Sequence, residues 1–499
     1  MIINMHEYCT EKNASVGTIE AIKNAADGDT ISFDKGIYHF YKDYSPHRKY
    51  HMTNTDSFAN PEKYFAILLE DKEGITIDGN GSVFVIHGDM CALSLVRCKN
   101  ITLRNFTIRY NSPTNFEMTC VEKQGCKIRY TIPENTSYKV KNNSIYFFEQ
   151  SPFTKENYYL VKNNKKCYCN VIHNGDNVYR TQLSPLKGAI KIKEIAEHQV
   201  ECTYIFPPKF KVGDTVAMSE NWNRSGCGLF FWESGNITSE NIVVNYMHGF
   251  GWLSQMCENM TFNNISFKPA DGYQVSSFAD CIHICGCKGY ARISNCFFTH
   301  PHDDGINIHG AFLRFEKAVD SHTAVFKFIH KQQGGYKAFF AGDKIKFYKR
   351  TDLSELDGLY TVQSSVDDID NKLVTVKFEE ELPQMKDKMV VCENVTYNPE
   401  VTISDCIFRA IPTRGILCTT DKPSSIFNNE FISLKMPDIY ISCDCRDWYE
   451  SGPCKDLKIY NNKFSQKNPV VLEPLCMIKP VDNVHENIEI FDNEIGENE

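Results

Sequence analysis

The stretch Ile101-Thr-Leu-Arg-Asn105-Phe-Thr-Ile108 decides the fold, because its pattern of β-forming residues around an Asn or Asp recurs along the chain. Further copies lie at 237–244, 260–267, 291–298, 401–408, 425–431, 457–464 and 488–495. The central residues of all the copies are Asn105, Asn241, Asn264, Asn295, Asp405, Asn429, Asn462 and Asn493.

The spacing of these central residues predicts a right-handed parallel β-helix, an all-β fold. Most of the spacings are 23 to 33 residues, which is one coil of such a helix. Asn tolerates the left-handed conformation of a tight corner, and its amide can bond to an Asn one coil away. A leucine-rich horseshoe is the alternative, but its leucine spacing and helical half-repeats are missing.

Two spacings, 136 and 110 residues, are too long for one coil and predict two inserted small β-barrel domains. The insertions carry a similar phrase, at 210–216 in the first and at 340–345 in the second. The predicted division is 1–111 (N-terminal cap and first coils), 112–218 (barrel 1), 219–311 (central coils with the site), 312–397 (barrel 2) and 398–499 (C-terminal coils).

The front of the chain predicts a short capping helix over the open end of the β-helix. Ile19, Ile22 and Ala26 recur at helical spacing within the segment 18–26. Without such a cap, the first coil would expose unpaired strand edges.

The composition limits the classes of partner that we expect the chain to bind. The formal charge is −9 and no basic stripe is present, so we expect no nucleic-acid partner. No apolar run of about 18 residues occurs and the start lacks a signal peptide, which predicts no membrane contact and a cytoplasmic protein, or a secreted one if an export signal was trimmed. The 21 scattered cysteines are interpreted as buried thiols.

The candidate catalytic residues are three aspartates in consecutive coils: Asp280, Asp303 and Asp304. Asp280 and Asp303 are 23 residues apart, so we expect them to stack on one face. Gly305 favours a turn at which both neighbouring aspartates reach the same groove. Clustered carboxylates suit glycoside hydrolysis, because one must donate a proton and another must deprotonate water.

An adjacent acidic pair alone is weak evidence. With 63 acidic residues in 499, about eight such pairs arise by chance, and Asp367-Asp368 is one. The third carboxylate, one coil away, is what favours a catalytic site. Trp448 and Glu450 offer an aromatic wall beside a carboxylate, although a loop-packing Trp explains the pattern equally well.

Histidines and cysteines give weaker signals. His302 and His309 could bind sugar hydroxyls, but an isolated His is more often a hydrogen-bonded surface residue. The CxC pairs at 285–287 and 443–445 lack the usual zinc spacing, so stacked thiols in the core are favoured and no metal is expected.

The motifs together resemble glycoside hydrolase family 110, the inverting α-1,3-galactosidases that remove terminal galactose. The resemblance runs over most of the chain. It rests on the segments 36–41, 68–71, 75–81, 224–228, 249–259, 279–280, 303–310, 414–415 and 448–452. Cys227 and Cys281 depart from the small residues of many relatives.

The resemblance implies an exo-acting pocket, inversion at the anomeric carbon, no cofactor and an α-galactoside oligosaccharide or glycan as substrate. It makes Asp303 the general acid, and Asp280 with Asp304 the pair that deprotonates water. Residues implied to shape the galactose pocket are Arg224, Gln255, Glu258, Asn307, His309, Arg414 and Trp448. A homo-oligomer is compatible with the inserted barrels.

Other functions remain open at this stage. A polygalacturonase-like hydrolase also uses three aspartates on a β-helix, but its Arg-Ile-Lys and Gly-His-Gly elements are absent. A polysaccharide lyase needs a cationic base, and the sequence places no cations beside the acids. A non-catalytic glycan-binding β-helix would bind glycans equally well after Asp303→Asn.

Overall fold

The computed structural model describes residues 1–162, 167, 169–219 and 224–496. Most of them form coils whose strands pair in parallel with the coils before and after. One long sheet of these coils contains Ile2–Asn4, Thr30–Ser32, Ile37–Tyr41, Thr76–His87, Lys99–Tyr110, Gly235–Val244, Glu258–Phe267, Lys288–Ser294, Phe297–Thr299, Glu400–Ser404, Ile407–Arg409, Ser424–Phe427, Glu430–Ile432, Leu457–Tyr460, Lys463–Phe464, Ile488–Phe491 and Glu494–Ile495.

A second sheet faces the first across the core and carries the strands next to the candidate site. It contains His47–Lys49, Glu62–Glu70, Cys91–Val96, Leu229–Trp232, Trp252–Gln255, Ile282–Cys285, Ile306–Ala311, Ile416–Cys418, Ile439–Asp444 and Val470–Leu475, with Glu450–Ser451 paired to its edge. The prediction of an all-β chain built on a parallel β-helix is confirmed.

Equivalent side chains stack from coil to coil inside the β-helix. Phe267, Phe298, Phe408, Phe431 and Phe464 form one column, with ring centroids 4.7–5.2 Å apart. These rings are buried, and each covers part of the next, so the column removes a continuous strip of apolar surface from water.

The predicted corners are left-handed in the coils up to Asp405. The central residues there have φ of 54–61°: Asn105, Asn241, Asn264, Asn295 and Asp405. The predicted ladder is present, since Asn241 donates to Asn105 at 3.2 Å and Asn264 donates to Asn241 at 2.8 Å.

In the C-terminal coils the predicted corner is wrong by one residue. The left-handed residues are Asn428, Asn461 and Asp492, and the Asn after each belongs to an inner ladder. There, the Asn429 backbone N–H donates to Asn462 Oδ1 at 3.0 Å, and the Asn462 N–H donates to Asn493 Oδ1 at 2.9 Å. An inner Asn thus satisfies a backbone donor at the bend, which explains why two polar residues occur together.

The first insertion is β throughout its named elements. A seven-stranded sheet contains Asn115–Gln124, Lys127–Thr131, Cys169–His173, Asn177–Thr181, Ala189–Ala196, Gln199–Tyr204 and Thr215–Ser219, beside a three-stranded sheet of Tyr138–Lys141, Ser144–Gln150 and Asn157–Lys162. Within the described residues this strand order is open, whereas the sequence predicts a barrel.

The second insertion closes into a barrel. Its strands are Leu313–Ala318, Thr323–Lys327, Lys344–Lys349, Glu355–Asp368, Leu373–Phe378 and Val390–Asn394. The long strand 355–368 pairs with both neighbours, and buried rings such as Phe326, Phe347 and Phe378 fill the interior.

Helical structure is limited to an α-helix, Ser15–Asn24, and the 3-10 turns Met5–Glu7, Lys42–Tyr44 and Val395–Tyr397 in the described part of the chain. The predicted capping helix therefore begins and ends earlier than expected. It buries Ala21 and Ile22, while Ala26 is exposed beyond its end. Among the described residues, no helix combines the length and apolar character needed to cross a membrane.

Candidate active site

A cavity of about 690 Å³ lies beside the second sheet, at the turns that precede its central strands. The β-helix, both insertions and the N-terminal loop all contribute to its lining. Seven predicted residues line it, namely Asp280, Asp303, Asp304, Arg224, Asn307, Arg414 and Trp448. Its volume is within the range of about 300–1,000 Å³ that is usual for small-ligand sites.

Strand register decides which carboxylates stack. Ile282 pairs with Ile306 and Ile306 pairs with Ile416, so Asp280, Asp304 and Arg414 occupy the same position in three successive coils. The offset is therefore 24, and the prediction that Asp303 stacks on Asp280 is wrong. One oxygen from each of the three aspartates nevertheless lies within 4.8 Å of the others.

Close backbone approach at this corner requires glycine. A Cβ on Gly305 would lie 2.6 Å from the carbonyl oxygen of Gly415, and a Cβ on Gly251 would overlap the carbonyl oxygen of Asp280. The predicted role of Gly305 is thus correct in its consequence, because both Asp303 and Asp304 face the cavity. Glycine is required at position 305 because the neighbouring coil lies too close for a Cβ.

Asp303 lies between two arginines. Arg224 donates to its Oδ2 at 2.7 Å, and Arg180 Nη2 lies 3.2 Å from its Oδ1. Burial would raise the pKa of Asp303, but the charges of Arg180, Arg224 and Arg414 outweigh burial and lower it to about 2. Asp303 is therefore an anion in the free protein.

Asp304 is held by a third arginine. Arg414 donates to Asp304 through its backbone N–H at 3.1 Å, through Nε at 3.0 Å and through Nη2 at 2.9 Å. This bidentate pairing fixes the carboxylate plane. Asp304 also donates its own backbone N–H to Asp280 Oδ1 at 3.4 Å.

Asp280 has a contrasting environment. Its Oδ2 lies 2.9 Å from His283 Nδ1, and 4% of its side chain is exposed. Burial, followed by the charges of Asp303 and Asp304, raises the pKa of Asp280 well above its usual range. Burial and the neighbouring His309 hold the pKa of His283 well below the usual value, so this histidine is neutral.

Two predicted pocket residues lie elsewhere. Gln255 is fully buried, and its Oε1 accepts the Thr53 backbone N–H at 2.8 Å, so it anchors the N-terminal loop. Glu258 begins a strand of the opposite sheet, is exposed and lies 3.5 Å from Lys288. The chain changes sheets at Met256 and Cys257, which explains why these predictions are wrong.

The predicted histidines are buried behind the cavity wall. His309 Nε2 lies 2.9 Å from His283 Nε2, and His302 Nε2 lies 3.3 Å from the Ala217 carbonyl oxygen. Neither lines the cavity, so the prediction that they bind sugar hydroxyls directly is wrong. The cysteines at 285, 287, 443 and 445 are buried free thiols.

Trp448 forms an outer wall of the cavity. Its ring packs on His330 with centroids 4.2 Å apart and keeps 40% of its surface exposed. Asp444 accepts the backbone N–H groups of Arg446, Asp447 and Trp448 at 2.7–2.8 Å, which fixes the loop that carries the ring.

The sequence analysis missed several lining residues. They are Asn54, Arg180, Phe250, His283, His330, Lys331, Gln332 and Leu417, whereas Glu450, which also lines the cavity, was among the weaker candidates. Arg180 comes from the first insertion, which docks on the β-helix through a bidentate pair between Asp176 and Arg409 at 2.6–2.8 Å. No local motif marks Arg180. The sequence did contain a signal for His283, because this histidine lies three positions after the candidate catalytic residue Asp280.

The three aspartates are near enough to share a cation. However, Arg180, Arg224 and Arg414 already supply three positive charges to Asp303 and Asp304, so an added dication would meet strong repulsion. This donor set does not fit a metal centre.

Known proteins resemble this chain over most of its length. "Alpha-1,3-galactosidase A" of Streptomyces avermitilis is 31% identical over 93% of this chain and 77% of its own length. The chain belongs to the α-1,3-galactosidase family. The protein of the same name from Bacteroides thetaiotaomicron is 30% identical over 95% of this chain and 83% of its own length.

Residues 323–388 match the family model "GLAA-B beta-barrel domain II", and this match lies within the closed barrel of the chain. Among solved structures, an exopolygalacturonase from Thermotoga maritima aligns over 99% of this chain and 79% of its own, at 9% identity and a TM-score of 0.35. A TM-score this low supports no functional argument.

Proposed function

We propose that this chain is an exo-acting α-1,3-galactosidase of glycoside hydrolase family 110, which removes terminal galactose with inversion through Asp280, Asp303 and Asp304. One observation carries the proposal: three carboxylates from two coils converge at the base of a cavity walled by an exposed Trp. The family membership supplies the substrate class, and the cavity supplies the acid and base that hydrolysis needs.

The stacked pair supports a role in activating water. Asp280 and Asp304 occupy one position in neighbouring coils, so a single water can contact both carboxyl groups. Burial and the charges of Asp303 and Asp304 raise the pKa of Asp280 and so favour its protonated form. Asp304, fixed by Arg414, is the member of the pair that accepts the proton from water.

The charge distribution disagrees with one role implied by the family resemblance. A general acid must carry a proton before the reaction, yet Arg180 and Arg224 hold the pKa of Asp303 near 2. Asp303 acts as the acid only if the substrate separates it from these arginines. Otherwise the protonated carboxyl of the cluster is Asp280, and it delivers the proton to the glycosidic oxygen.

The proposal also states that the reaction inverts the configuration at the anomeric carbon. Inverting enzymes usually separate their carboxyl groups by about 6.5–9.5 Å and retaining enzymes by about 5–5.5 Å. One oxygen of each carboxyl group here lies within 4.8 Å of the others, which is nearer to the spacing of retaining enzymes. Against a carboxylate nucleophile, the oxygens of Asp303 and Asp304 contact arginines, which makes them weak nucleophiles compared with a water that they hold.

A lyase is the second candidate, because the structure places cations beside the acids, which the sequence analysis did not expect. Arg180 and Arg414 are nevertheless poor bases. Burial works against their charge, but the aspartates outweigh burial and raise the pKa of both guanidinium groups. A lyase also requires a uronic acid, whereas the proposed substrate is neutral.

The test is release of galactose from α-1,3-galactobiose, followed by NMR of the fresh product. Wild type is expected to release β-galactose first, and Asp303→Asn is expected to lower kcat/KM by about 10²–10⁴-fold, the usual contribution of acid–base groups. Glu258→Gln is the matched control, because it changes a carboxylate of the same β-helix that points away from the cavity.

The outcomes are separable. Initial α-galactose would reject inversion and keep the hydrolase. An unsaturated product from a uronate polymer would favour the lyase. Glycan binding without turnover, unchanged in Asp303→Asn, would favour the non-catalytic β-helix.

A further inference from the structure

A line of hydrogen bonds leads from Asp280 through His283 to the buried His309. Asp280 Oδ2 lies 2.9 Å from His283 Nδ1, and His283 Nε2 lies 2.9 Å from His309 Nε2. At the far end, His309 Nδ1 lies 2.6 Å from the Gly310 carbonyl oxygen. Both histidines are buried, with exposed fractions of 0% and 2%.

For two neutral rings, the far end of this line determines the tautomer of each histidine. A carbonyl oxygen only accepts, so His309 Nδ1 carries a hydrogen, and in a neutral ring its Nε2 is then an acceptor. His283 Nε2 must therefore donate to it, which leaves His283 Nδ1 as the acceptor. The remaining donor is the carboxyl group of Asp280.

We propose that His283 and His309 set the protonation state of Asp280, and that the proton resting on Asp280 Oδ2 has a second position on His309. This inference rests on the proposed function only in giving Asp280 a part in acid–base catalysis. Burial lowers the pKa of His283, which agrees with a neutral His283 at rest. Both histidines act through Asp280, so they are positioning residues.

The second position is defined by Glu450, whose Oε1 lies 3.4 Å from His309 Nε2. In the shift, the O–H bond of Asp280 breaks and an N–H bond forms at His283 Nδ1. The N–H bond at His283 Nε2 breaks while one forms at His309 Nε2. The products are an Asp280 anion, a neutral His283 in the other tautomer and a His309 cation beside the Glu450 carboxylate, so no proton enters or leaves.

Charged side chains near Asp280 and His283 affect where this proton lies. Asp303 and Asp304 face Asp280 and favour its neutral form, whereas Arg224 and Arg414 favour its anion. Arg224 also opposes a charge on His283, whose ring packs against Phe250 with centroids 4.4 Å apart. At His309 the facing carboxylate is Glu450, which also accepts from Asn54 at 3.4 Å.

The experiment is infrared spectroscopy of the free enzyme, with the carboxyl C=O band of Asp280 isolated as the difference between wild type and Asp280→Asn. We expect a protonated band at pH 7. In His309→Leu, His283 loses its acceptor and adopts the other tautomer, so the band should titrate about one pH unit lower, as expected for one hydrogen bond. In His309→Gln the amide oxygen restores an acceptor, and the titration should return towards wild type.

Three results would overturn the inference: no protonated band in wild type, no shift in His309→Leu, or equal shifts in His309→Leu and His309→Gln. Far-UV circular dichroism checks the fold of each variant. If His309→Leu does not fold, the wild-type band and the position of the His309→Gln titration still decide. Because no substrate is used, a band without galactose release would reject only the proposed function, and galactose release without a band would reject only this inference.

Discussion

Asp303 and Asp280 lie on two sides of one cavity, and their surroundings shift the pKa of each in opposite directions. Asp303 contacts two guanidinium groups, and Asp280 contacts a buried neutral imidazole. Both carboxyl groups are buried, yet the pKa of Asp303 is lowered to about 2 while the pKa of Asp280 is raised well above its usual range. Burial alone raises the pKa of an acid, so the partner decides the sign.

The largest expected effect comes from removing either carboxylate. Asp280→Asn and Asp303→Asn should each lower kcat/KM on an α-1,3-galactoside by about 10²–10⁴-fold. The double variant should be little worse than either single one, because the two groups serve one reaction. Steady-state kinetics of the three variants measures this, and fully multiplied losses would contradict a shared role.

The arginine side is tested next with Arg224→Gln. This change removes one of two charges from Asp303 and its packing on the Phe250 ring, 4.8 Å away, so we expect a kcat/KM loss of about 10-fold or more. Arg97→Gln is the matched control, because Arg97 forms a bidentate pair with Asp71 on the exposed surface. Equal losses in both variants would argue against a specific role of Arg224.

Stability should depend on pH in opposite directions at the two aspartates. The folded pKa of Asp303 is depressed, so its contribution is present above the unfolded pKa of about 3.9 and is lost as pH falls towards 2. It amounts to about 2–3 kcal/mol. The folded pKa of Asp280 is raised, so its contribution is present below about pH 4 and is lost as pH rises through the folded pKa.

Thermal melting at a series of pH values checks both signs. Asp303→Asn should lose less stability than wild type on acidification from pH 4 to 2. Asp280→Asn should lose less than wild type as pH rises above 4. The same pH dependence in wild type and both variants would contradict the contrast between the two sides.

The smallest effect is expected for Glu258→Gln. This exposed carboxylate lies 3.5 Å from Lys288 on the sheet opposite the cavity, and exposed pairs contribute roughly 0–1 kcal/mol. Activity and melting temperature should stay within about twofold and ~2 °C of wild type. A large loss of activity would restore the sequence-based prediction that Glu258 shapes the pocket.

Patterns that repeat were predictable from the sequence, and contacts between distant segments were not. The Asn105 type of corner and the aspartate cluster follow from spacing, because each coil repeats the one before. The stacking partner of Asp280 was wrong by one residue, since only the paired strands fix the register. Arg180 reaches the site through an inserted domain, and no spacing along the chain encodes that approach.

The same limit explains the errors at Gln255 and Glu258. Only two residues lie between them, but the turn there sends one strand into each sheet, so only one side of that turn lies near the site. His309 was predicted as a sugar ligand and instead lies behind His283. The sequence marked His309 as a candidate functional residue, but only the structure shows that it is buried behind His283.

The most direct test of the account compares galactose release from α-1,3-, α-1,4- and α-1,6-galactobiose by wild type and Asp303→Asn. The account predicts release from the α-1,3 disaccharide at a rate well above the other two, and loss of that release in the variant. Faster release from another linkage, or equal release by wild type and Asp303→Asn, would contradict it.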